Sequence, residues 1–156
     1  MEIFTKSTLE TAKLGKKIGS DVTKTIQHSG GRKTCNIFAL SGPLGSGKTT
    51  FTQGFAKGLG IKERVVSPTF ILMRSYVQDF ENLFTFYHLD LYRLENKVDL
   101  QLKDLGIEEI WSDPKNIVLI EWAQKATIIP SNACWIKFES LNDGKRKITI
   151  PDNLFL

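Results

Sequence analysis

The chain has 156 residues, enough for one domain, and 41% of them are hydrophobic, enough for a single core. Twenty-one Lys and Arg against 17 Asp and Glu leave a net charge of +4. That surplus fits a solvated surface. The basic residues form small clusters (Lys13, Lys16 and Lys17; Arg32 and Lys33; Lys145, Arg146 and Lys147) without interleaved aromatics, which argues against an RNA-binding module. No apolar run is long enough to span a bilayer, and the N-terminus lacks the basic and apolar regions of a secretory signal, so a cytoplasmic protein is expected.

In chain order, Ser7-Thr8-Leu9-Glu10 has the form of a capping box, S-x-x-E, and predicts a helix running to about Gln27. Leu14, Ile18, Val22 and Ile26 fall on one stripe of it. Residues 28–33 are a loop, and the apolar run 34–40 is a buried strand. The sequence GPLGSGKTT follows at once, and residues 49–59 then predict a helix ending near Gly60. Val65 and Val66 predict a short strand before Ser67-Pro68-Thr69-Phe70. Strands are expected at 71–77 and 83–91 around a polar turn at 78–82. A helix comes next, with Leu100 and Leu105 facing inward and Gly106 closing it. Residues 107–112 are a second short helical piece. Residues 116–121 are a buried strand ending on an acid, and residues 133–150 form a hairpin around an Asp143-Gly144 turn. Cys35 and Cys134 have no metal-ligand spacing, and reduced core thiols are the expectation.

The chemistry concentrates where strand, glycine-rich loop and helix meet. The stretch Gly42, Pro43, Leu44, Gly45, Ser46, Gly47, Lys48, Thr49, Thr50 fits G-x-x-x-x-G-K-[ST], the phosphate-binding loop of nucleoside triphosphatases. Backbone N–H groups and the helix N-terminus would cradle phosphates, Lys48 would reach the β- and γ-phosphates, and the Thr49 hydroxyl would bind Mg²⁺. Glu121 closes a buried strand at its C-terminal end, where open α/β sheets bind ligands, and is a candidate for the metal or for the attacking water. His88 and Asp90 point to one face of their strand, and Asp90 is a second Mg²⁺ candidate. Arg93 could pair with Asp90 or meet a phosphate. Thr69, behind the rigid Pro68, sits where nucleotide switches carry a γ-phosphate sensor. Asn96-Lys97-Val98-Asp99 spells the guanine-reading N-K-x-D, but it precedes Glu121 and is read as a coincidental helix start, so ATP is expected over GTP.

Four stretches, GPLGSGKTT, SPTF, HLDLYRL and LIEWA, in this order over residues 41–123, resemble the TsaE (YjeE) family of small bacterial P-loop ATPases. The resemblance implies an α/β single-domain P-loop NTPase with a mostly parallel central sheet flanked by helices and a C-terminal β-hairpin. It implies slow, Mg²⁺-dependent ATP hydrolysis in support of threonylcarbamoyladenosine synthesis on tRNAs that read codons beginning with A. The partner would be a TsaB–TsaD pair, bound in a nucleotide-dependent way, with tRNA met indirectly through that complex. Carried over residue by residue, residues 42–49 would bind the phosphates, Thr49 and Glu121 would be Mg²⁺ ligands and Asp90 a further essential acid; together with the positional readings above, the candidate catalytic residues are Lys48, Thr69, Asp90 and Glu121, and the candidate metal ligands Thr49, Asp90 and Glu121. Trp122 would lie next to the site, and residues 7–10 near the adenine. Pro43 stands where the family usually has an acid, and Ser46 where Ala is common. A monomer is expected. The competing readings are a P-loop kinase for a small metabolite, for which no lid insertion is present, and a nucleotide-gated binding module that hydrolyses nothing.

Overall fold

The computed structural model describes residues 1–28, 35–78 and 84–155; of the loop expected at 28–33 and the turn expected at 78–82, residues 29–33 and 79–82 lie outside them. In chain order the elements are β1 (Glu2–Thr5), α1 (Thr8–His28), β2 (Ile37–Ser41), α2 (Lys48–Gly58), β3 (Met73–Val77), β4 (Thr85–Asp90), α3 (Val98–Asp104), α4 (Ile107–Ser112), β5 (Asn116–Glu121), β6 (Cys134–Ser140) and β7 (Arg146–Thr149). One seven-stranded sheet has the order β1-β7-β6-β2-β5-β4-β3. Its centre is parallel (β6 with β2, β2 with β5, β5 with β4), while β1–β7, β7–β6 and β3–β4 are antiparallel. The expectation of a mostly parallel sheet is therefore corrected: the sheet is mixed, because hairpins close both of its edges.

Helices cover both faces, and strand parity sorts the core between them. Phe38 and Leu40 of β2, with Ile117 and Leu119 of β5, pack with Phe51, Phe55, Ile18 and Val22 of the α1–α2 layer. Ile37, Ala39, Val118 and Ile120 face the other way, onto Leu102, Ile107 and Trp111 of α3 and α4. The α1 and α2 helices approach closely through glycines four apart on each: a Cβ on Gly15 or Gly19 would meet the α2 backbone, and one on Gly54 or Gly58 the α1 backbone.

Several local expectations change. Val65 and Val66 form no strand; Val65 instead buries its side chain in the core next to α2. Leu102, fully buried, replaces Leu100, which is 52% exposed, as the inward residue of α3. β1 has no counterpart among the sequence-based elements and is recruited by pairing with β7, Thr5 opposite Arg146. Cys35 and Cys134 are joined as a disulfide, not kept as reduced thiols. The parallel pairing of β2 with β6 sets Phe38 opposite Cys134 and brings the two Cα atoms to 6.1 Å across 99 residues of sequence. The Asp143-Gly144 turn forms as expected, with both residues at positive φ (63° and 70°). No helix among the described residues is long and apolar enough to cross a membrane.

Candidate functional site

The loop after β2 has its glycines where the backbone demands them. Gly42, Gly45 and Gly47 take φ values of 143°, 74° and 100°, a region that L-residues with side chains rarely adopt. A Cβ on Gly42 would also run into Phe138 of β6. Lys48 opens α2 and turns its Nζ back across the loop, donating to the carbonyl oxygens of Gly42 and Pro43, each at 2.7 Å. The Ser46 hydroxyl lies 3.4 Å from the same Nζ, and the Trp122 ring centroid 4.1 Å. Burial lowers the Lys48 pKa, opposed by the negative fields of Glu121 and Asp90. Leu44 is exposed at the tip, as are Pro43 and Gly45, and Thr50 lies behind Thr49 on the first turn of α2.

Strand register brings the two acids together. Asp90 and Glu121 are direct partners at the C-terminal ends of the parallel strands β4 and β5. Both share the parity of Ile117 and Leu119, so both face α2. Glu121, 1% exposed, accepts a hydrogen bond from the Thr49 hydroxyl on Oε2 (2.7 Å). Its Oε1 lies 2.8 Å from Nε2 of the fully buried His88. Since the other ring nitrogen, Nδ1, has no partner, the arrangement assigns the proton to Nε2, which donates to Glu121. Asp90 accepts from the Ser67 hydroxyl at 2.5 Å, from Thr69 Oγ1 at 3.4 Å and from the backbone N–H of Tyr92 at 3.0 Å. Ser67 and Thr69 are hydrogen-bonded to each other at 2.7 Å. One connected polar network thus runs from Thr49 at the start of α2 to Glu121 and His88, and Asp90, the neighbour of Glu121 on β4, holds the 67–69 loop.

Most of the sequence-predicted site residues, Lys48, Thr49, Thr69, Asp90 and Glu121, therefore meet in one place. Arg93 does not pair with Asp90; its guanidinium lies over the Phe70 ring, 3.9 Å from the centroid. The side chains of Ser7 and Glu10 are spent on the start of α1, Ser7 Oγ accepting from Glu10 N–H and Glu10 Oε2 from Lys6 N–H. Asp99 of the N-K-x-D tetrapeptide holds the loop after β5 by accepting from both the backbone N–H and the hydroxyl of Thr127, which lowers its pKa.

Ser67, His88 and the conformation of Trp122 were not singled out as working parts from sequence. Trp122 is in the left-handed region (φ 58°, ψ 35°), costly for an aromatic residue. That turn puts its indole between Lys48 and Tyr92, whose ring centroid is 5.1 Å away. Lys125 ties the arms together by donating to the carbonyls of Tyr92 and Leu94.

A magnesium ion and a nucleoside triphosphate both fit this donor set. The loop offers Lys48 and a helix N-terminus to phosphate, and a hydroxyl and two carboxylates are the hard oxygen ligands that Mg²⁺ takes. Among the described residues no group of three or more His, Cys, Asp and Glu could hold a metal alone.

Comparison with known proteins converges on one family. The family model described as "Threonylcarbamoyl adenosine biosynthesis protein TsaE" matches residues 5–148. A tRNA threonylcarbamoyladenosine biosynthesis protein TsaE from Treponema pallidum is 33% identical over 151 residues, 96% of this chain and 99% of that one. The protein of the same name from Bacillus subtilis is 37% identical over 118 residues, 75% of this chain and 70% of its own. The crystal structure of Bacillus subtilis YdiB superposes with a TM-score of 0.69 at 29% identity, covering 96% of this chain and 83% of YdiB. The chain belongs to the TsaE family.

Proposed function

We propose that this protein is a Mg²⁺-dependent ATPase of the cytoplasm that supports threonylcarbamoyladenosine formation on tRNA through nucleotide-dependent binding to a TsaB–TsaD pair. The observation that carries the reading is the Thr49–Glu121 hydrogen bond beside Asp90, which links the phosphate loop to the 67–69 loop through adjacent carboxylates. Lys48 and the backbone of residues 42–50 hold the phosphates. Thr49 donates its proton to Glu121, leaving the hydroxyl lone pairs free to meet a cation. Glu121 and Asp90 supply the remaining negative charge, and His88 fixes the Glu121 carboxylate. Bound Mg²⁺ would neutralise charge on the phosphate oxygens. Trp122 lies over Lys48 and would cover that side of the site.

Thr69 and Ser67 answer to Asp90, so a change of charge there is felt by the loop that carries exposed Phe70 and Ile71. Exposed Leu44 and Tyr92 lie on the other two loops of the site. Apolar side chains on loops tied to phosphate-facing groups make partner affinity depend on nucleotide state, provided the contacts differ between states. The test is a pull-down with the TsaB–TsaD pair under ATP, ADP and no nucleotide, beside an ATPase assay. Association that varies with nucleotide is expected; none in any state removes the partner assignment, and phosphate transfer to a small metabolite would favour a kinase.

A further inference from the structure

Arg146 begins β7, on the side of β2 opposite the strands that carry Asp90 and Glu121. It pairs with Thr5 and Ser140 and shares the parity of Ile148, so it points to the α1–α2 face. Lys147, on the opposite face, takes up the nearby acids, Glu2 at 3.5 Å and Glu139 at 3.0 Å. No carboxylate among the described residues pairs with Arg146. Its stem and Nε press on the phosphate loop: a Cβ on Gly47 would lie 3.0 Å from both Cδ and Nε. The Nε atom is buried and has no hydrogen-bond partner. A guanidinium part-buried with an unpaired N–H is costly unless an anion meets it. The strand before it does related work, since Phe138 of β6 backs Gly42 at the start of the same loop.

We propose that Arg146 is a second cationic contact for the phosphates of bound nucleotide, delivered to the flank of the loop by the C-terminal hairpin. The proposal rests on the nucleotide reading of residues 42–50 and gives the hairpin a binding role. Gly47 is then glycine for two reasons, its backbone and the room it leaves for this side chain.

The test is direct titration of the full chain with Mg-ATP and with Mg-tripolyphosphate, for the wild type and for Arg146→Gln, Arg146→Lys, Lys147→Gln and Lys48→Ala. Thermal melts confirm that each variant is folded. Arg146→Gln should weaken both ligands by about tenfold or more, the scale of one charged hydrogen bond. Arg146→Lys should recover part of the loss, and Lys147→Gln should match wild type. ATP affinity unchanged in Arg146→Gln but lost in Lys48→Ala overturns the Arg146 role alone. Weakened ATP with unchanged tripolyphosphate also overturns it, moving the contact to the sugar or base. Equal ATP binding by wild type and Lys48→Ala would fell the nucleotide reading and this inference with it.

Discussion

Replacing Glu121 separates its structural work from its chemical work. In Glu121→Ala two donors lose their acceptor: Thr49 Oγ1, half-buried, and His88 Nε2, fully buried. Thr49 can turn to water, so its loss is about 1 kcal/mol, whereas the His88 N–H is stranded at about 2–3 kcal/mol. A switch of tautomer cannot rescue the ring, because Nδ1 is buried without a partner as well. The sum is about 3–4 kcal/mol of lost stability, reduced by whatever burying the carboxylate itself cost. Glu121→Gln retains a carbonyl oxygen for His88 and an amide that Thr49 can accept, so its cost should be below about 1 kcal/mol. Both variants should keep ATP binding and lose hydrolysis by about 10–100-fold or more, since each removes the negative charge offered to a metal. Urea unfolding with linear extrapolation measures the first quantity and phosphate release the second. An alanine variant as stable as wild type would refute the bridging role. A glutamine variant with undiminished hydrolysis would reduce Glu121 to a structural strut.

Lys48→Ala should abolish tight ATP binding, read by direct titration, because it removes the only lysine resting within the loop. Asp90→Ala should retain ATP but lose hydrolysis and free Ser67 and Thr69; Thr69→Ala should weaken nucleotide-dependent partner binding more than it weakens ATP binding, compared in the same pull-down and titration. Gly54→Ala should cost about 1–3 kcal/mol, or more, because its methyl would drive into the backbone of Ala12 and force α1 and α2 apart; a melt within a degree of wild type would mean that the helices can separate freely. Asp99→Asn should lower the melting temperature at pH 7. The Asp99 pKa is depressed below 3.8 by Thr127, so its stabilisation is present above 3.8 and fades as pH falls through the lower folded value; the gap between variant and wild type should therefore close only below pH 3.8.

The parts of the site carried by short motifs were legible in the sequence because each motif is local. The glycine loop specifies its own backbone, and four apolar residues before Glu121 specify a buried strand that delivers an acid to the ligand edge. What the sequence did not show depends on register and on pairs distant in the chain. Nothing near Asp90 says that it stands directly opposite Glu121; that follows from the pairing of Thr85 with Asn116 five residues earlier on each strand. The strand β1 is four residues with one buried side chain and has no signal without β7. The inward phase expected through Leu100 falls instead on Leu102, because a short helix gives too few turns to fix its phase. The disulfide between Cys35 and Cys134 depends on β6 lying beside β2, which no local pattern predicts.

On the proposed reading, the same sheet order would let a chain of this size couple a nucleotide to a partner. Two strands end on acids that face one helix, and each acid is held by a different loop. Glu121 is tied to α2, behind the glycine loop, through Thr49, and Asp90 to the 67–69 loop through Ser67 and Thr69. The two strands that carry them, β4 and β5, are adjacent and mostly buried, and their pairing holds the acids side by side. A charge arriving near Glu121 would also be felt at Asp90, whose donors Ser67 and Thr69 are hydroxyls on a loop, not atoms of the sheet. Any resulting shift would pass to the loop bearing exposed Phe70 and Ile71, where Arg93 lies over the Phe70 ring. No second domain is needed for such an output, only a partner whose surface distinguishes the two positions of that loop.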